Sequence, residues 1–269
     1  MTAINCYALK DRAVMMTDGA FYDDQGVVYG VEKKAVSITG MSAVAAMRGD
    51  LELTRKILLG LPTYGTLDNL YARIEADLKE WLKDYGDFLS ADPWWSFDIS
   101  IVGWSEAEQR SKILTLEFDG ELEVERVEDF TLRHWPLDVA QEYLAALECL
   151  PGRDFALHDF DPHFQGVEVM QAQRLRKMSI DEGGDELNIV GGNILLSEAG
   201  PQGGTQKFIH EWPDVIGETI QPGSFAHAVE AGRRRRAKWM KSHPAPGVDL
   251  SNLSRQQRRA LERANRRAA

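Results

Sequence analysis

The sequence predicts an α+β protein built as a four-layer αββα sandwich, with a basic helical extension at the C-terminus. Two observations predict this class: strands and helix pairs alternate along the chain, and basic residues concentrate after Gly232. Runs of strands separated by helix pairs favour stacked sheets whose outer faces are covered by helices. We therefore divide the chain into an αββα domain over 1–222 and a basic tail with a proline-containing linker over 223–269.

The chain opens with short strands. Residues 4–8 alternate apolar side chains with polar or smaller ones, and the apolar segment 13–16 follows, which together predict a hairpin turning at 10–12. Further strands are expected at 27–31 and 35–39. A run of small and apolar residues, 40–49, completes this sheet-rich start.

A helix pair is predicted next, at 50–61 and after Thr66, whose hydroxyl is a favoured N-cap. Apolar side chains then recur at every second position, and this alternation predicts strands at 97–104, 111–118 and 122–132.

The second helix pair is expected at 137–150 and 163–178, and final strands at 187–197 and 206–212. After them the sequence predicts a basic helix over 224–241, a linker over 243–247 and another basic helix over 250–269.

Composition excludes several classes of protein. Of the 269 residues, 43% are hydrophobic, and no apolar run reaches the roughly 18 residues that a membrane span requires. We expect a cytoplasmic protein with no membrane partner. Two cysteines, Cys6 and Cys149, lack metal-like spacing, so neither a disulfide framework nor a zinc site is expected.

The net charge of -11 is unevenly distributed. Residues 233–269 carry 12 Lys/Arg and 2 acidic residues, whereas the rest of the chain carries 19 basic and 40 acidic residues. An acidic body argues against nucleic acid as its partner, because phosphate binding depends on basic side chains. For the tail, Arg233 to Arg267, we favour docking on an acidic protein surface, its own or a neighbour's, over nucleic-acid binding.

The candidate active site begins at Thr2, which removal of Met1 would make the N-terminal residue. Asp18 follows after 16 residues and Lys34 after another 16, and Gly49 ends the small-residue run. This order and spacing resemble those of the N-terminal nucleophile (Ntn) hydrolases, specifically the proteasome β-subunit and its bacterial relatives.

The resemblance implies a threonine peptidase or amidohydrolase that acts on a peptide or amide substrate and works as an oligomer. Thr2 would supply the nucleophilic hydroxyl and, through its free α-amine, the base. Lys34 would favour the deprotonated forms of both groups, and Asp18 would hold Lys34 in place. The backbone N–H of Gly49 would donate to the oxyanion. This chemistry requires no cofactor and no metal.

Several residues depart from the family pattern. Either Lys33 or Lys34 could face inward, and the bulky Arg48 precedes Gly49, where the family prefers a small residue. Aligning the usual supporting Asp and Ser on the pair at 183–184 places Ser179 and Glu182 at those positions, with Asp181 nearby. These departures favour an alternative function, a non-catalytic structural or assembly protein on the same scaffold, in a cellular or phage-type particle, attached through its basic tail.

Three further groups of residues do not predict a binding or catalytic site. The Asp/His-rich loop at 154–163 has no established metal-ligand spacing, so we interpret it as a polar connection between helices. Its candidate ligands are Asp154, His158, Asp159, Asp161 and His163. We interpret Trp81, Trp94 and Trp95 as core or interface residues. The glycine pairs match no phosphate-binding motif, so nucleotide binding is not expected.

Overall fold

Strands and helices of the chain form a mixed α+β structure with several antiparallel sheets. The computed structural model describes residues 2–49, 51–84, 96–128, 132–135, 140–147, 160–179 and 186–242.

The strands are β1 (Ile4–Ala8), β2 (Ala13–Asp18), β3 (Ala20–Tyr22), β4 (Val28–Val31), β5 (Ala35–Ser37), β6 (Ala43–Gly49), β7 (Ser96–Ser105), β8 (Arg110–Asp119), β9 (Leu122–Glu128), β10 (Leu132–Trp135), β11 (Lys177–Ser179), β12 (Glu186–Asn188), β13 (Asn193–Gly200) and β14 (Gly203–Glu211). The α-helices are α1 (Leu51–Gly60), α2 (Leu67–Asp84), α3 (Gln141–Ala146), α4 (Val167–Arg174) and α5 (Phe225–Ser242). A 3-10 turn, Leu61–Tyr64, follows α1, and a π-helical turn, Pro162–Gly166, precedes α4.

Two five-stranded antiparallel sheets dominate the architecture. The first has the strand order β10-β1-β2-β13-β14 and the second β5-β6-β7-β8-β9. Two hairpins, β3–β4 and β11–β12, form separate small sheets. The predicted opening hairpin is confirmed, since β1 and β2 pair from Ile4 opposite Thr17 to Ala8 opposite Ala13.

The two large sheets share an apolar cluster. It includes Ile4, Cys6 and Met15 of the first sheet together with Val102 and Ile113 of the second. Because side chains alternate between the faces of a strand, their neighbours on β1 and β2 point the other way and pack with α4. We call the side of the first sheet that contacts the second its inner face.

The first helix pair packs on the second sheet. Leu70 and Ile74 of α2 are buried in one cluster with Ile99 and Ile101 of β7. Thr66 begins α2 as predicted, because its Oγ1 accepts a hydrogen bond of 3.1 Å from the backbone N–H of Asn69.

The first basic helix, α5, packs against α3 and the π-helical turn. Ala228 and Val229 are buried with Tyr143 of α3. The Arg235 guanidinium donates to both oxygens of the fully buried Glu168 carboxylate, at 2.7 and 2.9 Å. The predicted helix over 224–241 is thus confirmed, and the predicted helix over 250–269 lies outside the described residues.

Two predicted elements proved too long. The strand predicted at 122–132 ends at Glu128, and Leu132 begins β10, which pairs with β1 in the other large sheet. The helix predicted at 163–178 ends at Arg174, and Met178 lies in β11. The Asn188 side chain accounts for the end of α4 at Arg174, because its amide donates to the carbonyls of Arg174 and Arg176 at 3.0 and 3.1 Å.

The sequence also missed strands. The run 40–49 contains β6, residues 20–22 form β3, and the strand predicted at 187–197 divides into β12 and β13. No helix in the described part of the chain is both long and apolar enough to cross a membrane.

We expect Arg235→Ala to destabilise the fold by about 3 kcal/mol, because it leaves the buried Glu168 carboxylate without its cation. Arg234→Ala is the matched control, since Arg234 is exposed and pairs with the exposed Glu230, and should cost less than about 0.5 kcal/mol. Urea unfolding measures both, and equal effects would contradict the assigned role of Arg235.

We expect the Cys6 thiol to resist alkylation in the native protein. Burial raises the pKa of Cys6 from 9.0 to about 12, and the thiolate is the reactive form. Iodoacetamide at pH 8 should modify Cys6 at least about 100-fold more slowly than in the urea-unfolded chain, as read by peptide mass spectrometry. Because the folded pKa is the higher one, the stability that this thiol contributes should be lost as pH rises from 9.0 to about 12.

Candidate functional site

A buried ion pair lies where β2 ends. Asp18 is fully buried and Lys34 is 8% exposed, and the Lys34 ammonium lies 3.1 Å from each oxygen of the Asp18 carboxylate. The backbone N–H of Ala3 donates to Asp18 Oδ1 at 2.8 Å, and that of Gly191 donates to Oδ2 at 3.3 Å. One carboxylate therefore joins the start of β1, the end of β2, the segment before β5 and the segment before β13.

The structure decides which of the two neighbouring lysines faces inward. Lys34 immediately precedes β5 and lies over the rings of Phe21 and Tyr22, at 5.0 and 5.9 Å from their centroids. Lys33 is exposed and lies 5.8 Å from the ring centroid of Phe208. The aromatic rings and the carboxylate together enclose the Lys34 ammonium.

Burial shifts the pKa values of both members of the pair. It raises the pKa of Asp18, against the lowering effect of Lys34 and of the two backbone N–H groups. It lowers the pKa of Lys34, against the raising effect of Asp18. Burial is the larger of the two effects on Lys34, whereas its contact with Asp18 favours the charged ammonium.

A second buried ion pair supports the Gly191 segment. Arg174 of α4 pairs with Asp214 at 2.5 Å, and a further guanidinium N–H donates to the Val190 carbonyl at 2.7 Å. Asp214 also accepts from the backbone N–H of Gly192 at 2.7 Å. These contacts fix the turn whose Gly191 amide donates to Asp18.

Sequence reasoning missed this supporting segment. The available signal was the pair Gly191–Gly192, which directly precedes the apolar strand β13. The pair at 183–184, on which the supporting residues were aligned, lies outside the described residues together with Asp181 and Glu182. Ser179 is exposed on β11.

Gly49 lies at the end of β6, opposite Phe97 of β7. Its φ of +101° is unfavourable for other residues, and a Cβ here would lie 2.1 Å from the carbonyl oxygen of Ser96. The fold therefore requires glycine at this position, whatever its chemical role. Arg48 contacts the neighbouring strand β7, where its Nε donates to Asp98 at 3.0 Å.

A groove of about 420 Å³ lies beside Gly49. Its described lining residues are Arg48, Gly49, Ser96, Phe97, Asp98, Glu117, Phe118 and Asp119. The predicted site residues thus fall into two parts: Asp18 accepts from the amide that follows Thr2 and pairs with Lys34, whereas Gly49 borders this groove. Thr2 itself is 7% exposed.

The described part of the Asp/His-rich loop serves structural contacts. Asp161 accepts from the backbone N–H of His163 at 2.8 Å and from the Trp239 indole. Asp154, His158 and Asp159 lie outside the described residues. Among the described residues, no group of three or more His, Cys, Asp or Glu side chains is placed to hold a metal ion. Trp81 of α2 is partly buried and packs against the cluster that contains Leu70, Ile74, Ile99 and Ile101. Trp94 and Trp95 lie outside the described residues.

We expect Lys34→Ala to lower the free energy of unfolding by about 3 kcal/mol, because it leaves the Asp18 carboxylate buried without its cation. Lys33→Ala, one residue earlier and exposed, should change it by less than about 0.5 kcal/mol. Chemical denaturation of both variants checks this. A Lys34 variant as stable as the Lys33 variant would show that the pair adds nothing to the fold.

No protein-family model and no curated protein sequence matches the chain. Among solved structures, the chain is similar to Anbu (ancestral beta-subunit) from Yersinia bercovieri, with a TM-score of 0.52 and 13% sequence identity. The match covers 93% of this chain and 100% of that one. At this identity the similarity is one of fold, and the chain has a proteasome-like α+β fold.

Proposed function

We propose that this protein is an N-terminal threonine hydrolase of the proteasome β-subunit type, which cleaves peptide or amide bonds after Met1 is removed. One observation supports this above all: Asp18 binds both the Lys34 ammonium and the amide that links Thr2 to Ala3. Through Asp18, a buried cation is thereby held close to the backbone amide that follows the proposed nucleophile.

The proposed reaction assigns a role to each group. The neutral α-amine of Thr2 takes the proton of the Thr2 hydroxyl as its oxygen attacks the substrate carbonyl carbon. Lys34 stabilises the developing negative charge on that oxygen, and Asp18 keeps Lys34 in place. The backbone N–H of Gly49 donates to the oxyanion. The protonated amine then passes its proton to the leaving nitrogen, and water hydrolyses the resulting ester.

We infer a four-layer αββα architecture for residues 1–222. The shared apolar cluster of the two large sheets supports the inner layers, and the packing of α2 on one sheet and α4 on the other supports the outer layers. The proteasome-like fold supports the further proposal that the protein works as an oligomer.

For the basic segment 223–269 we propose docking on an acidic protein surface. The contact between Arg235 and the buried Glu168 supports this, because it shows one basic side chain of α5 bound to an acidic residue of the body. The nucleic-acid alternative predicts DNA binding that weakens with added salt and is lost on deleting 243–269.

One observation favours the alternative function, a non-catalytic building block on the same scaffold. The described residues that line the groove beside Gly49 include neither Thr2 nor Lys34. In that alternative the Asp18–Lys34 pair serves only to fix the start of β1.

Intact mass and covalent labelling test the hydrolase proposal. We expect a mass that lacks Met1, and acylation of the Thr2 hydroxyl by a β-lactone, located by peptide mass spectrometry. Thr2→Ala should abolish the label, and Lys34→Ala should slow it at least about 100-fold, since it removes the cation beside the developing charge.

Lys33→Ala is the matched control and should label within about 2-fold of the wild-type rate, since its side chain is exposed. Circular dichroism must show that each variant is folded. Retained Met1 would exclude the mechanism. A folded protein without Met1 that takes no label would favour the building block.

A further inference from the structure

The hairpin formed by β8 and β9 carries a high density of negative charge. Between Lys112 and Arg126 the sequence has five acidic residues and no basic one. Four of these acidic side chains are exposed and pair with no cation among the described residues. We call them the acidic hairpin: Glu117, Asp119, Glu121 and Glu123.

These carboxylates share one face of the hairpin. Phe118 lies opposite Leu122, and both are buried in the cluster with α2, so the residues that alternate with them point to the other side. On that side Glu117 lies directly opposite Glu123. Like charges in this arrangement destabilise a sheet, and a cation bound between them would relieve the repulsion.

Protection of the sheet edge does not account for all of this charge. Strand β9 is the edge strand of the second sheet, and charged side chains on an edge strand prevent it from pairing with other molecules. Glu117 and Asp119, however, lie on β8, which is paired with a strand on each side. Their charges therefore point to a cationic partner.

The solvent side of α5 presents the opposite charge. Ala228 and Val229 are buried on the side of the helix that faces the body. Arg234, Lys238 and Lys241 are exposed and follow one another at intervals of four and three residues, which places them on one face of the helix. We call these three residues the basic face of α5. Its two lysines form no ion pair among the described residues.

The first sheet separates the basic face from the acidic hairpin within one chain. Helix α5 shares a cluster with Ala172 of α4, and α4 packs on the side of the first sheet opposite to its inner face. The second sheet, which contains the acidic hairpin, packs on the inner face. The ion pair between Arg235 and the buried Glu168 holds α5 in this position. The basic face can therefore reach an acidic hairpin only on another molecule.

We propose that the basic face of α5 docks on the acidic hairpin of a second copy of this chain. This inference rests on the proposed docking of the basic segment and names the surface that receives it. Neighbouring cations on the helix face are about 5–6 Å apart at Cβ, and alternate carboxylates along the strand are about 7 Å apart, so flexible lysine side chains can pair with them. Because the two surfaces differ, the contact is heterologous and joins copies head to tail.

Charge reversal on each surface tests this contact. The hairpin variant combines Glu121→Lys with Glu123→Lys, and the helix variant combines Lys238→Glu with Lys241→Glu. We expect each variant alone to self-associate at least about 100-fold more weakly than wild type in sedimentation velocity, because like charges then meet. Glu123→Lys also replaces the repulsion with Glu117 by an attraction, so the hairpin variant should melt no lower than wild type.

Rescue shows whether the two surfaces bind each other. An equimolar mixture of the two variants should associate within about 10-fold of the wild-type affinity, since each contact again joins opposite charges. One chain that carries all four substitutions should do the same. The matched control combines Asp24→Lys with Glu106→Lys, which makes the same change in net charge as the hairpin variant at exposed positions in other turns, and it should associate as wild type does.

Three results would overturn the contact: a monomeric wild type across the concentration series, variants that associate as wild type does, or lost association that neither the mixture nor the fourfold variant regains. If deletion of 243–269 abolishes association but charge reversal in α5 does not, the basic segment docks through its other part and the assigned surface is wrong. Labelling of Thr2 is measured separately, so the hydrolase proposal stands or fails independently of this contact.

Discussion

The Asp18 carboxylate is the contact on which the candidate site depends. It accepts from Ala3 at the start of β1, from Lys34 before β5 and from Gly191 before β13. A buried carboxylate is stable only when such donors surround it, so these three segments cannot move apart without exposing an unpaired charge. The same requirement that stabilises the fold holds a cation at the residue after Thr2.

A second buried ion pair, between Arg174 and Asp214, supports the segment that donates to Asp18. Arg174 at the end of α4 pairs with Asp214 and fixes the turn that carries Gly191. Nearby, Arg235 brings the basic helix α5 to Glu168 of α4. The two ends of α4 are thus tied to the site and to the basic segment by ion pairs in which Arg174, Asp214 and Glu168 are buried, where charges interact more strongly than at the surface.

The inner face of the first sheet combines stability with the proposed chemistry. Most of this face is apolar and buries the contact with the second sheet. Around Gly19, however, the buried Thr17 Oγ1 and Asn193 Oδ1 have no hydrogen-bond partner among the described residues. Natural sequences tolerate such departures from good packing mainly at functional sites.

The opening hairpin, the start of α2 at Thr66 and the residue types of the candidate site follow from local sequence patterns, because alternation and capping are local properties. That Lys34, rather than Lys33, meets Asp18 and that Leu132 pairs with β1 depends on how the strands are arranged in space. The same arrangement brings Gly191 and Arg174 to the Asp18 carboxylate and its supporting turn from more than 150 residues away along the chain. No local pattern encodes such contacts, because they arise from which strands pair and which charges are buried together.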